Sequence, residues 1–250
     1  MQRYFIEVAY KGAGYAGFQI QENAVTIQSE IRQAMAVLFK QDIGLTGSSR
    51  TDAGVNALQN FFHFNLDQPI PERYLYNLNA LLPPAIAIKR IIPVHAGAHC
   101  RFDAVSREYH YHVYRQKNPF LHNQAYYFPY TIDFDLLQQA ASAVMEHTNF
   151  TSFSKRNTQV KNFICHITES RWSRDEDHMI YRVQSNRFLR GMVRGLVGTM
   201  LQAGRGKISI AHLHTIIADR DCSKVNFAVP GHGLFLMKVN YPPHYFMPPS

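Results

Sequence analysis

The apolar residues of this chain change period in the same order twice, and that repetition restricts the fold more than any single motif does. In "RYFIEVAY", Tyr4, Ile6, Val8 and Tyr10 alternate with Arg3, Phe5, Glu7 and Ala9, as the two faces of a strand do. "TIQSEIRQAMAVLF" then puts Ile27, Ile31, Ala34 and Leu38 on one helical face behind Thr26, whose hydroxyl suits an N-cap. Two strands ("DIGLTGSS" and "LQNFFHFNL"), a helix begun by Pro71 and the strand "AIAIKRII" complete a β-α-β-β-α-β order. The second half repeats it, with strand "SREYHYHVYR", helix "FDLLQQAASAVMEH", strands "NFICHITESRW" and "HMIYRVQSN", helix "RFLRGMVRGLVGTMLQAG", an extra helix after Ser209 and a last strand "GLFLMKVNY". The expected class is α+β, built as two ferredoxin-like halves at 1–103 and 104–250. No Pro/Gly/Ser linker marks the boundary near "CRFDAVSR", which argues for a tight seam rather than a tether. The proline-rich end "YPPHYFMPPS" reads as a frayed or surface-laid tail.

The 250 residues carry 26 Lys+Arg against 18 Asp+Glu, and the net charge of +8 favours a polyanionic partner without separating RNA from DNA or phospholipid. No apolar run approaches the roughly 18 residues a membrane span needs. The opening "MQRYFIEVAYKG" lacks the apolar core and cleavage site of a signal peptide, so a cytoplasmic location and no membrane partner are expected. Cys100, Cys165 and Cys222 are far apart with no C-x-x-C pair, which argues against a disulfide framework and a zinc ribbon.

Gly12-x-Gly14-x-x-Gly17 follows a strand, as a dinucleotide-binding fingerprint does, but Phe18 to Val25 intervene before any helical period begins. It reads as a glycine-permitted loop, and no nicotinamide or flavin cofactor is expected. His110-x-His112 and His212-x-His214 lack a third ligand at suitable spacing, so no metal is expected either. In "NRFLRGMVRGLVGTML", Leu189, Met192, Val193, Leu196, Val197 and Met200 form an apolar core stripe. Arg187, Arg190 and Arg194 are expected on another face of the same helix, either solvated or clamping phosphates or carboxylates. Further cations, among them Arg101, Arg107, Lys155, Arg156, Lys161, Arg205 and Lys207, lie near Phe102, Tyr109 and Phe153, an interleaving that suits RNA with exposed bases.

"SSRTDAG" supports two readings. Arg50 and Asp52 are two residues apart, so in extended backbone both point to one side, and an arginine about 4 Å from a carboxylate contributes roughly 4 kcal/mol at intermediate dielectric, holding Asp52 ionised. T-D-A-G is equally the composition of a turn with an Asx-type hydrogen bond, and the residues alone leave both open.

The stretch "GSSRTDAGVNA", taken with "AYKGAGYAGFQ", "CRFDAVSREYHYHVY", "NFTSFS", "SNRFLRGMVRGLVG" and "GLFLMKVNY", resembles the TruA family of tRNA pseudouridine synthases in order and spacing from about residue 3 to residue 241. The resemblance implies two ferredoxin-like halves sharing a continuous, mostly antiparallel sheet with a basic cleft between them. It further implies isomerisation of uridine to pseudouridine at positions 38 to 40 of the tRNA anticodon stem-loop, by a homodimer and without a cofactor. The family's catalytic aspartate falls on Asp52. Arg50 would lie beside the flipped nucleotide, Tyr109 would stack on the target base, Arg190 would form an ion pair fixing Asp52, and Leu234 would line the uracil pocket. Phe18, Ser49 and Asn56 stand where the family usually has Trp, Gly and His, departures that bear on substrate preference rather than on Asp52. A non-catalytic RNA binder using a ferredoxin-like sheet is the competing reading, and it has no use for a buried acid.

Overall fold

The computed structural model describes residues 1–156, 160–243 and 245–246. The elements run β1 (Gln2–Tyr10), α1 (Ile27–Phe39), β2 (Thr46–Gly47), β3 (Asn56–Leu66), α2 (Arg73–Leu81), β4 (Ile86–Val94), β5 (Ser106–Tyr114), β6 (Tyr126–Tyr127), α3 (Phe134–Met145), β7 (Ile167–Asp175), β8 (His178–Ser185), α4 (Met192–Gly204), α5 (Ile210–Ala218) and β9 (Leu234–Asn240). Two compact units result, Met1–Val105 with Leu236–Ser250, and Ser106–Phe235. Among the described residues, no helix is long and apolar enough to cross a membrane.

In the first unit the strands lie in the order β4-β1-β3, with β2 and β9 also beside β3. β1 is antiparallel to both neighbours, with Phe5 opposite His63 and Ile92. The order 4-1-3-2 is the one a β-α-β-β-α-β chain gives when its two crossovers are both right-handed. Tyr4, Phe5, Ile6 and Val8 are all buried, so both faces of β1 are covered. On one face Tyr4 stacks on Phe64; on the other, Phe5 and Phe61 meet Tyr241 and Phe246. The end of the chain is therefore no frayed tail as far as it is described: Tyr245 and Phe246 pack on the Phe5 face, while residues 244 and 247–250 lie outside the described residues.

Thr26 caps α1 as expected, its hydroxyl accepting from the Ser29 N–H at 3.1 Å while Ser29 Oγ accepts from the Thr26 N–H at 2.9 Å, a reciprocal capping box. The strand expected over "DIGLTGSS" shrinks to Thr46–Gly47. Two contacts explain this. The Phe18 ring occupies the space a Gly47 side chain would need, since a Cβ there would sit 2.3 Å from it, and the Ser49 backbone turns aside to bond with Asn60.

In the second unit the order is β5-β8-β7, antiparallel throughout, with β6 added parallel to β5. The α+β, mostly antiparallel expectation holds. Tyr111 and Tyr181 are fully buried opposite each other, and Trp172, opposite Tyr181 on β7, packs against it at 5.2 Å. α3 contributes Leu137, Ala140 and Val144, α4 contributes Leu196 and Met200, and α5 contributes Leu213 and Ile216, all buried. Asp133 and Ser209 cap α3 and α5 through their side-chain oxygens.

α4 begins later than the sequence pattern implied. Its N-cap, Gly191, adopts φ +76°, a left-handed conformation that interrupts the helical path, so Arg187, Leu189 and Arg190 precede the helix and only Arg194 of the three arginines lies on it. The expected shared arginine face does not form.

Candidate active site

The loop after β2 is held from below by polar side chains that have nowhere else to go. Asn60, fully buried on β3, donates from Nδ2 to the Ser49 carbonyl at 2.8 Å and to the Tyr10 hydroxyl at 3.2 Å, and its Oδ1 accepts from the Phe61 and Ser49 N–H groups at 2.9 and 3.3 Å. The Tyr10 hydroxyl shares a 2.8 Å hydrogen bond with Thr51 Oγ1, and burial pushes this phenol up to about 12, so it remains neutral. Leaving any of these groups unpaired in the interior would cost about 1–3 kcal/mol, which fixes the backbone at Ser49 and Thr51 on either side of Arg50.

A second loop, residues 11–17, closes on this one. The Phe18 N–H donates to the Thr51 carbonyl at 3.1 Å, and the Gly12 N–H donates to Asn56 Oδ1 at 2.9 Å. A Cβ on Gly12 would lie 2.2 Å from the Val55 carbonyl oxygen, so only glycine permits the approach. The G-x-G-x-x-G pattern thus serves loop-on-loop packing. Between these anchors the Val55 N–H bonds to the Asp52 carbonyl at 3.2 Å, closing a turn in which Gly54 takes φ +77°. Thr51 and Val55 are buried and Asp52 between them is half-buried, so the carboxylate rides at the rim of a pinned turn. Of the two sequence readings of this stretch, the turn is the one the structure shows. Arg50 is exposed and forms no ion pair within 4 Å among the described residues; the contact with Asp52 that their spacing suggested is absent.

Tyr109, Arg190 and Leu234 belong to the second unit. Tyr109 is buried on β5, with its ring edge-on to Phe188 at 5.1 Å and 87°. Arg190 is exposed; its carbonyl accepts from the Lys155 N–H at 3.1 Å, and the Lys155 stem lies over Gly191. Leu234 is buried at the start of β9, just after the 3-10 turn Gly231–Gly233. Gly233 lets that turn approach β5, because a Cβ would sit 2.9 Å from the His112 carbonyl, and the Tyr111 hydroxyl donates to Pro230 O at 2.8 Å. Sequence reasoning treated the arginines of this region alike, but they differ. Arg194 is half-buried and donates to the Val229 carbonyl at 2.8 Å, so it is the positioned one, while Lys155, Arg156 and Arg220 line an open cavity that can receive an anion. Asn60 and Tyr10 were not picked out either; a lone Asn in an apolar run, "QNFFHF", was the one available signal.

A pinned turn presenting one carboxylate, in a basic and aromatic α+β chain, fits the class of RNA-modifying enzymes. Comparison with known proteins agrees. A family model described as tRNA pseudouridine synthase matches residues 140–242, from α3 to β9. Proteins named tRNA pseudouridine synthase A align along nearly the whole chain: one from Parabacteroides distasonis is 42% identical, with 98% of each chain covered, and one from Porphyromonas gingivalis is 40% identical, with 99% of this chain and 100% of its own covered. One from Bacillus subtilis is 38% identical over 94% of this chain and 97% of its own. The chain belongs to the tRNA pseudouridine synthase family.

Proposed function

We propose that this protein isomerises uridine to pseudouridine in the anticodon arm of tRNA, at positions 38 to 40, with Asp52 as the catalytic carboxylate. The N1–C1′ bond of the nucleotide breaks and leaves its electron pair on the uracil, the uracil turns, C5 joins C1′, the C5 proton leaves to solvent and N1 takes up a proton in its place. Atoms and electrons balance within the one nucleotide, and the protein has to supply an anion at the ribose together with a place for the uracil to turn.

The observation that carries this reading is the Asp52 turn: one half-buried carboxylate whose backbone is fixed by Asn60, Tyr10 and the Gly12 loop. A binding module would gain nothing from that construction. Arg50, exposed one residue before the buried Thr51, contacts the substrate phosphate. Tyr109 gives the extruded base an aromatic face, offsetting the few kcal/mol that unstacking costs, while Leu234 borders the uracil and Arg190, as the resemblance implies, forms the ion pair that fixes Asp52. The enzyme works in the cytoplasm, where tRNA is processed, as a homodimer, in keeping with the resemblance.

The test uses tRNA carrying tritium at uridine C5, whose release reports C5–C1′ bond formation. The wild-type protein releases tritium; Asp52→Asn reduces release to background and binds tRNA as tightly as the wild type. Absence of Asp52-dependent release on every tRNA tried would leave the RNA-binding reading in its place.

A further inference from the structure

A cavity of about 240 Å³ in the second unit is lined by Tyr126, Phe128, Tyr130, Arg205, Lys207 and Asn226, together with a glycine, a leucine and the polar Gln202 of α4 and the segment 228–229. It includes none of Tyr109, Arg190 and Leu234, and no carboxylate lines it. The Arg205 guanidinium sits 3.7 Å above the Tyr130 ring and 5.9 Å from that of Phe128. Gly206, at φ +68°, reverses the chain there, and the Lys207 N–H bonds back to the Gln202 carbonyl at 3.0 Å, which returns Lys207 to the same opening. Burial, and next the neighbouring Tyr130, raise the Tyr126 phenol, which stays neutral and able to donate. Asn226 is held against α4 because Gly198 leaves room for its carbonyl; a Cβ there would be 2.1 Å away.

A cation at the C-terminus of α4 is favourable for the helix by itself. That accounts for neither the second cation nor the three aromatic rings around one opening. Flat rings beside fixed positive charge, with no acid nearby, are the chemistry that takes a nucleotide: base on ring, phosphate on guanidinium and ammonium. The volume falls below the roughly 300–1,000 Å³ of pockets for drug-sized ligands and suits a single nucleotide's polar end and base edge.

We infer that this cavity is a second RNA subsite, seating one nucleotide other than the uridine that reacts, with its phosphate on Arg205 and Lys207 and its base against Tyr126 and Tyr130. The inference rests on the tRNA reading above. Such a subsite grips the substrate without touching the reacting atoms, so its loss raises KM and leaves kcat alone.

The experiment compares wild type, Arg205→Gln/Lys207→Gln, Lys207→Gln, Tyr130→Ala and Tyr130→Phe in tritium release across salt concentrations, with filter binding of tRNA measured in parallel. The double variant is expected to raise KM about five- to tenfold with kcat within about twofold of wild type. The slope of log affinity against log salt should flatten by about 0.7–0.9 for the one phosphate released. Tyr130→Ala raises KM and Tyr130→Phe, which keeps the ring, does not. Unchanged KM and salt slope overturn the inference, as does a loss that falls on kcat, and a lowered melting temperature with unchanged KM would assign Arg205 to helix capping only. If the double variant does not fold, the exposed Lys207→Gln alone decides, through its salt slope. If wild-type protein binds tRNA but releases no tritium, the synthase reading fails, and the filter-binding comparison still judges the subsite.

Discussion

At the residue scale, the site is built less from its acid than from the amides around it. Asn56 departs from the resembled pattern, and the structure gives it a use: its Oδ1 accepts from the Gly12 N–H, tying the residue 11–17 loop to the loop that carries Asp52. Asn56→Ala removes that acceptor and leaves a backbone N–H in the closed loop contact without it, which is expected to cost about 1–3 kcal/mol in urea unfolding. The turn that presents Asp52 loses a clamp at the same time, so tritium release should fall while tRNA binding changes little. Equal activity in the variant would mean that the Val55–Gly12 packing alone fixes the turn. The turn was legible in T-D-A-G itself, whereas the part proposed for Asp52 came from the resemblance and not from those residues alone. The clamp was not, since one Asn opposite one Gly, 44 positions apart, leaves no periodic trace.

At the element scale, what periodicity encodes was recovered and what torsion angles encode was not. α1 and its Thr26 cap follow from the 3.6-residue spacing and a hydroxyl in the right place. The start of α4 does not, because "RFLRGMVRG" keeps a helical apolar spacing through Gly191 although that residue adopts φ +76°. β2 fails similarly: its apolar alternation is real, but Phe18 and Asn60 claim the neighbouring space and backbone bonds. Within α4, Gly195 and Gly198 form a notch for the segment 225–227, and a Cβ on Gly198 would overlap the Asn226 carbonyl. Gly198→Ala should therefore destabilise by about 1–3 kcal/mol, because the obstacle is backbone that cannot rotate away. Gly44→Ala is the matched control, with open space around its Cβ and ordinary φ, and should stay within about 0.5 kcal/mol of wild type. Thermal melts of the pair separate a packing notch from a general intolerance of glycine replacement.

At the scale of the whole molecule, the net charge of +8 directs the protein toward a polyanion, but its own stability draws on histidines kept uncharged, of which the two pushed furthest lie one in each unit. His63 is pushed down to about 4, by burial first and then by the charges of His99 and Arg3. Its Nδ1 accepts from the Cys100 N–H at 3.4 Å, a bond that protonation there would break. His112 is also pushed down to about 4, by burial first and then by His178, which stands 3.2 Å away. Both folded values lie below the ordinary 6.5, so between about 4 and 6.5 the unfolded chain takes up protons that the folded chain refuses, and stability rises with pH across that window. The contribution is complete above about 6.5, declines as pH falls toward 4 and changes no further below it; water reaching the part-exposed His112 ring limits the effect to about 2 kcal/mol per histidine. Urea unfolding at pH 8, 6.5, 5 and 4 should show this decline in wild type, and His63→Gln/His112→Gln should flatten it while leaving any steeper loss below pH 4 intact. A double variant that declines in parallel with wild type would move the acid sensitivity to His147, His178 and His232, which burial also pushes down.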